Sequence, residues 1–297
     1  MNVKFSNADN IIYHYIQKIL LSVPNAPITP FTKSLIDNLI MDLGIWLDLS
    51  IYENIPVLAP FVVRNAQCRK INPVTGKHTW GCADSQGYMQ DDNSIIKAIP
   101  SSLSIKSPYN LFNGMKRGTG YVCCHVWSSI LTKNPTTVSG YSGASNFTSP
   151  RFPETNSFVP NLVWLPKQIA SLTDRQGSYA QQLIQRISYE IYRNLHLSSS
   201  CKINITGIWD MLPCPNIPLP QNFTLKNLNY FIPDDKWIPR RKGTLTKEIN
   251  SIVSVLNGIQ STTKIKSSSY TSTLPIQVRT MTTANKQRLI NWLTSNL

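Results

Sequence analysis

Apolar residues recur at helical spacing in DNIIYHYIQKILLSV, where Ile11, Ile12, Tyr15, Ile16, Ile19 and Leu20 share one face, so a helix is predicted there and Pro24 stops it. A second helix is expected over 32–47, behind Pro30. The clearest pattern lies at 178–195. Leu183, Ile184, Ile187, Ile191 and Leu195 build one apolar stripe, and the glutamines, Arg186 and Arg193 are assigned to the opposite face. Two more helices are expected near 245–256 and 284–297.

Between these helices the pattern changes to short apolar runs and turns. VLAPFVV, GYVCCHVW (120–127) and NLVWL (161–165) have the length and bounding residues of buried strands, and NPVTGKHTW has those of a turn. Pro166 stands where a helix would begin at its first position. The stretch 132–157 is a long polar loop of Ser, Thr, Gly and Asn, and 197–242 is proline-rich and irregular. No internal repeat occurs. The expected fold is α+β, in three segments: 1–55 helical, 56–196 a central core, and 197–297 a basic recognition or dimerisation segment.

Composition adds a partner class. Hydrophobic residues make up 41% of the chain and charged ones only 15%, so the surface leans on neutral polar side chains. The 29 Lys and Arg outnumber 15 Asp and Glu, and a net charge of +14 favours a polyanion such as nucleic acid. No apolar run spans a membrane and the N-terminus carries no signal-like stretch, which implies a cytoplasmic protein without a membrane partner. The six cysteines (Cys68, Cys82, Cys123, Cys124, Cys201, Cys214) form no CxxC pair and read as small buried hydrophobes. A structural zinc through Cys68 and Cys82 is the alternative.

The chemistry-bearing stretches are YVCCHVW (121–127) and PNLVWLPKQIASLTD (160–174). A strand ending in His125, a long loop, a strand led by Asn161 and then a helix resembles the ββα-metal arrangement of HNH nucleases. The resemblance implies a ββα-metal core embedded in a larger mixed domain with helical N- and C-terminal additions. It implies His125 as general base and Asn161 as the residue that holds the ring or braces the loop. It further implies Asp174, thirteen places on, as a helix-borne oxygen ligand for magnesium. The chain departs from the family at Ala170, where many members have a second histidine, and at Cys124, where many have Asp or His. The interval from His125 to Asn161 is also longer than usual.

The other histidines offer less: His14 lies on an amphipathic helix, His196 at a helix end and His78 on a turn. Asp234-Asp235-Lys236, with Asp210 upstream, forms a D-x-K pattern that also suits a solvated turn. No phosphate-binding Gly-rich loop or nucleophile elbow is present. Lys116 and Arg117, just before His125, and Arg240, Arg241 and Lys242 are the expected DNA-binding cations. The expected function is therefore metal-dependent cleavage of double-stranded DNA by a type II restriction endonuclease-like enzyme, with a homodimer implied by analogy. Two alternatives stand beside it: a noncatalytic basic DNA-binding protein, and a metal-independent DNA-modifying enzyme such as a glycosylase.

Overall fold

Gly44 decides where the first described helix ends. The computed structural model describes residues 29–64, 70–71, 73–74, 78–79, 83–108, 120–128, 149–174, 177–199, 201–259 and 278–297, so the helix expected at 11–20 lies outside them. Helix α1 (Pro30–Leu43) starts from Thr29, whose hydroxyl accepts the Thr32 N–H, with Pro30 in its first turn. At Gly44 the chain turns extended, and a Cβ there would lie 2.6 Å from both the Ile40 carbonyl oxygen and the Trp46 ring. The helix expected over 32–47 therefore stops early, and its last apolar residues become strand β1 (Ile45–Leu47).

Helix α2 (Leu49–Asn54) follows, capped by the Asp48 carboxylate. The next elements are short: β2 (Val62–Val63), β3 (Lys70–Ile71), β4 (His78–Thr79), β5 (Met89–Gln90), α3 (Ser94–Ala98) and β6 (Ser104–Lys106). Then come β7 (Tyr121–His125), α4 (Pro153–Asn156), β8 (Leu162–Pro166) and α5 (Tyr179–Tyr192). The chain ends with α6 (Ile205–Asp210), β9 (Asn229–Ile232), α7 (Trp237–Leu256) and α8 (Thr283–Thr294). Pro166 closes β8 instead of opening a helix, and Ser178 caps α5 twelve residues later. The segment 197–242 is more ordered than its prolines suggested, since it contains α6, β9 and the start of α7.

Five strands form one mixed sheet in the order β6-β9-β1-β8-β7, in which β1 and β9 run parallel and every other neighbour is antiparallel. The strands come from all three segments distinguished in the sequence, and one apolar core runs through all three. β1 is buried along its length and β8 up to its last residue, which is why both read as continuous apolar runs without alternation. Trp164 on β8 meets Phe231 on β9 edge to face at 5.3 Å. Around Trp209 of α6, edge-to-face contacts with Trp127, Phe158 and Tyr189 at 5.4–6.1 Å fix the chain just beyond β7.

Helix α5 does more than cover the sheet with its apolar stripe. Gln181 and Gln185, expected on its solvent side, are buried together with Ser188. Gln181 donates to the Thr173 carbonyl at 2.9 Å, Gln185 to the Val126 carbonyl at 3.3 Å, and the Ser188 hydroxyl to the Pro160 carbonyl. Positions 181, 185 and 188 are one helical turn apart, so a single polar seam holds three backbone segments. Those segments carry Asp174, His125 and Asn161 on the adjoining residues.

Replacing Gln185 by Ala strands the buried Val126 carbonyl and is expected to lower stability by roughly 1–3 kcal/mol. Replacing Arg186 by Ala, which removes a part-exposed pair with Glu190 at 3.3 Å, should cost less than about 1 kcal/mol. Urea unfolding of the two variants tests the seam, and equal losses would count against it.

Candidate functional site

His125 is the last residue of β7, directly opposite Leu162 on β8. Its ring is buried, and Nε2 lies 2.9 Å from the carbonyl oxygen of Asn156. A carbonyl only accepts, so Nε2 carries the proton and Nδ1 holds the lone pair. Burial, reinforced by the positive charge of Arg64, drives the His125 pKa down to about 4 against the opposing pull of Asn156. At neutral pH the ring is uncharged, in one tautomer.

Asn161 leads β8 and is fully buried. Its side-chain oxygen accepts the Trp127 N–H at 2.8 Å and its amide donates to the Thr155 carbonyl at 2.7 Å. Its backbone carbonyl accepts the Val126 N–H at 2.9 Å. Of the two roles considered for this residue, the geometry corresponds to the brace: it closes the turn after His125, whereas the ring itself is held by Asn156.

Asp174 ends a 3-10 turn (Ala170–Asp174) and is not borne on an α-helix, a correction to the expected geometry. The turn is tied to the β7 exit by Ser128, whose hydroxyl donates to the Thr173 carbonyl at 2.5 Å. Partial burial raises the Asp174 pKa and Arg64 opposes the rise. Beside it, burial and the Asp174 charge push the Cys124 thiol up to about 12, so it stays protonated at neutral pH, and soft sulfur is in any case a poor partner for magnesium. Among the described residues no three His, Cys, Asp or Glu side chains form a metal-ligand set. Magnesium asks for less, commonly one or two carboxylates with water and substrate phosphate in the remaining positions. Asp174 is a hard oxygen donor that fits such an arrangement.

Three residues of this corner escaped the sequence reading. Glu154, on α4, is almost wholly buried, one of its oxygens has no partner among the described residues, and burial pushes its pKa up to about 7. Asn156 donates to the Val62 carbonyl at 2.9 Å while its own side-chain oxygen has no partner among the described residues. Arg64, at the end of β2, has a buried Nε with no acceptor, and its charge acts on His125, Cys124 and Asp174 together. The sequence carried faint signals for two of them: Glu154 is one of only four glutamates, and Arg64 directly follows the apolar run VLAPFVV.

The basic residues divide. Arg241 is committed to the fold, paired with Glu248 at 3.2 Å and donating to the Leu58 carbonyl at 2.6 Å. Lys242 donates to the Asn54 side chain at 3.0 Å, and Arg240 stays exposed beside Asp234 at 3.3 Å. The run Arg240-Arg241-Lys242 thus divides, with Arg240 exposed and Arg241 and Lys242 bonded within the fold. Lys116, Arg117, His14, Cys68 and Cys82 lie outside the described residues. In the D-x-K stretch, Asp234 accepts from the Lys236 N–H at 2.9 Å as in an ordinary turn, and His196 is exposed beyond the end of α5. Among the described residues no helix is long and apolar enough to cross a membrane. No family model, curated protein or solved structure matches the chain.

The two shifted groups have opposite consequences for stability. Glu154 binds its proton more tightly in the folded chain, so its contribution is full below pH 4.5 and is lost as pH rises to about 7. His125 binds its proton more weakly, so its contribution is full above pH 6.5 and is lost as pH falls to about 4. Each amounts to roughly 3 kcal/mol at most, and between these limits they largely cancel. Replacing Glu154 by Gln should therefore leave stability rising with pH up to 6.5, and replacing His125 by Gln should leave it falling toward pH 7. Urea denaturation across pH 4.5–7.5 reads both slopes, and parallel profiles for the wild type and the two variants would refute the assignment.

Proposed function

We propose that the chain is a metal-dependent endonuclease that hydrolyses phosphodiester bonds in double-stranded DNA, of the sequence-specific type II restriction kind. The observation that supports it most is the antiparallel β7–β8 pair. One strand ends in a neutral imidazole of fixed tautomer, and the other is led by a carboxamide that closes the intervening turn.

Phosphodiester hydrolysis needs a base to take a proton from water, positive charge at the phosphate, and a fixed geometry between them. His125 Nδ1 is the atom that would take the proton, with Asn156 holding the opposite nitrogen. Asn161 would be a positioning residue, since its side chain bonds to the backbone of Trp127 and Thr155. Asp174 would hold the divalent ion, magnesium by the hardness of its oxygen, and the ion would supply charge neutralisation at the phosphate. Cations of a chain at +14 would neutralise the remaining backbone charge of the duplex, with Lys116, Arg117 and Arg240 as candidates. The rest of the polypeptide is left for target recognition and, by analogy with such enzymes, for dimerisation.

One observation favours a second reading. His125 is only 3% exposed, as suits a core histidine, and a noncatalytic basic DNA-binding protein would use the His125–Asn156 bond solely as a structural tie. Incubation with plasmid and magnesium separates the two, since discrete fragments belong to the nuclease and gel retardation alone to the binder. Cutting that persists in chelator would point instead to a metal-independent enzyme. Replacing His125 by Ala is expected to lower cleavage by about 10²–10⁴-fold with DNA retention unchanged. Undiminished cleavage by that variant, with its melting temperature showing it folded, would end the assignment.

A further inference from the structure

We propose that Arg64 binds phosphate, forming the anion site at which the scissile group of a nucleic acid sits beside His125. The inference rests on the nuclease reading for its substrate, although the anion site itself can be tested without it.

The backbone of Arg64 is held on both sides. The carbonyl of Val63 accepts the Asp91 N–H at 3.0 Å, and the Arg64 N–H donates to the Pro150 carbonyl at 2.6 Å. The side chain has no such anchorage. Nε is shielded from solvent without an acceptor, and among the described residues the guanidinium makes no hydrogen bond and no ion pair within 4.0 Å. Among the described arginines Arg186, Arg240 and Arg241 have a carboxylate and Arg151, Arg193, Arg279 and Arg288 have none, but of those without one only Arg64 has a buried Nε lacking an acceptor. Taking a guanidinium partly out of water with a donor unmade is unfavourable, and such a group in a native fold calls for a reason.

Its position supplies one. Arg64 follows β2, whose Val62 carbonyl accepts from the Asn156 side chain at 2.9 Å while the Asn156 carbonyl holds His125 at 2.9 Å, and the charge of Arg64 acts on His125, Cys124 and Asp174. All three residues lie on segments held by the polar seam of α5, so the unpaired cation borders the corner built around the proposed base. Asp174 does not form an ion pair with it. A guanidinium presents planar, forked N–H donors that match two oxygens of a phosphate, a geometry a lysine ammonium cannot reproduce. Phosphate binding would also neutralise one of the two causes that depress the His125 pKa, so occupancy of the anion site would strengthen the base when substrate is present.

The test uses the full chain with Arg64→Met and Arg64→Lys. Melting is followed with inorganic phosphate or with chloride at matched ionic strength. Phosphate should raise the melting temperature of the wild type, raise that of R64K less, and leave that of R64M unmoved. Without phosphate R64M should melt above the wild type, because a lone shielded charge has been removed. On plasmid with magnesium, R64M should lose about 10²–10³-fold in turnover while still retaining DNA in a gel. A phosphate shift in R64M equal to that of the wild type would overturn the anion site, and so would R64M melting below the wild type, which is the mark of a structural arginine. If the wild type does not cut DNA but the Arg64-dependent phosphate shift is present, the nuclease reading falls and the anion site stands. If the wild type cuts and R64M cuts equally well, Arg64 is excluded and the nuclease reading survives.

Discussion

The arrangement around His125 depends on one constraint, that buried backbone carbonyls at the ends of β7, β8 and the following turn must find donors away from water. Helix α5 supplies them through Gln181, Gln185 and Ser188, one to each segment. A helix with only an apolar stripe would pack on the sheet equally well, but the Val126 and Pro160 carbonyls would lose these donors and the Thr173 carbonyl would keep only Ser128, at a cost comparable to losing a hydrogen bond for each. The seam turns a generic packing contact into a positional one. The β7 exit, the head of β8 and the 3-10 turn cannot shift independently without breaking a buried bond, and Asn161 then ties the first of these to α4 through Trp127 and Thr155.

Within that frame the ionisable groups are handled in an unusual way. Elsewhere the fold buries charge conventionally: Arg241 and Glu248 pair at 3.2 Å, and Arg241 also reaches the Leu58 carbonyl. Around His125 the groups are shielded yet not paired. The imidazole is kept neutral, the Glu154 carboxyl is pushed toward its protonated form, and the Cys124 thiol is kept protonated. Burial is the leading cause in all three cases. Asp174 contributes a carboxylate to the same corner without forming an ion pair with Arg64, so among the described residues the guanidinium keeps donors free for an anion.

What the sequence made legible follows from periodicity. GYVCCHVW and NLVWL are apolar runs bounded by turn residues, and the two strands within them pair antiparallel in the sheet with Asn161 immediately preceding β8. The stripe of Leu183, Ile184, Ile187 and Ile191 marked α5 within a few residues of its observed bounds. The failures have equally definite causes. Gln181 and Gln185 were assigned to solvent because a hydrophobic stripe treats every amide as polar, whereas this helix is buried over more than one face and uses its amides as donors. Glu154 lies in a stretch of neutral polar residues with no period, so nothing in the pattern marks it as buried. The Arg-Arg-Lys run lies inside α7, where successive residues are about 100° apart, so its three cations cannot share one face.

With 29 basic and 15 acidic residues, the chain cannot give each cation a carboxylate, so the placement of the few carboxylates sorts the cations by role. Glu248 is spent on Arg241, where a buried charge serves the contact between α7 and the loop at Leu58 and would be costly unpaired. Asp234 and Glu190 go to Arg240 and Arg186, where partial or full exposure makes each pair weak and exchangeable. Arg64, whose Nε is buried without an acceptor, receives none among the described residues. A fold optimised only for stability would do the reverse, giving its carboxylates to shielded cations before exposed ones. Under the proposed anion site, a counter-charge arriving from outside the chain would complete Arg64 beside the neutral histidine at the end of β7.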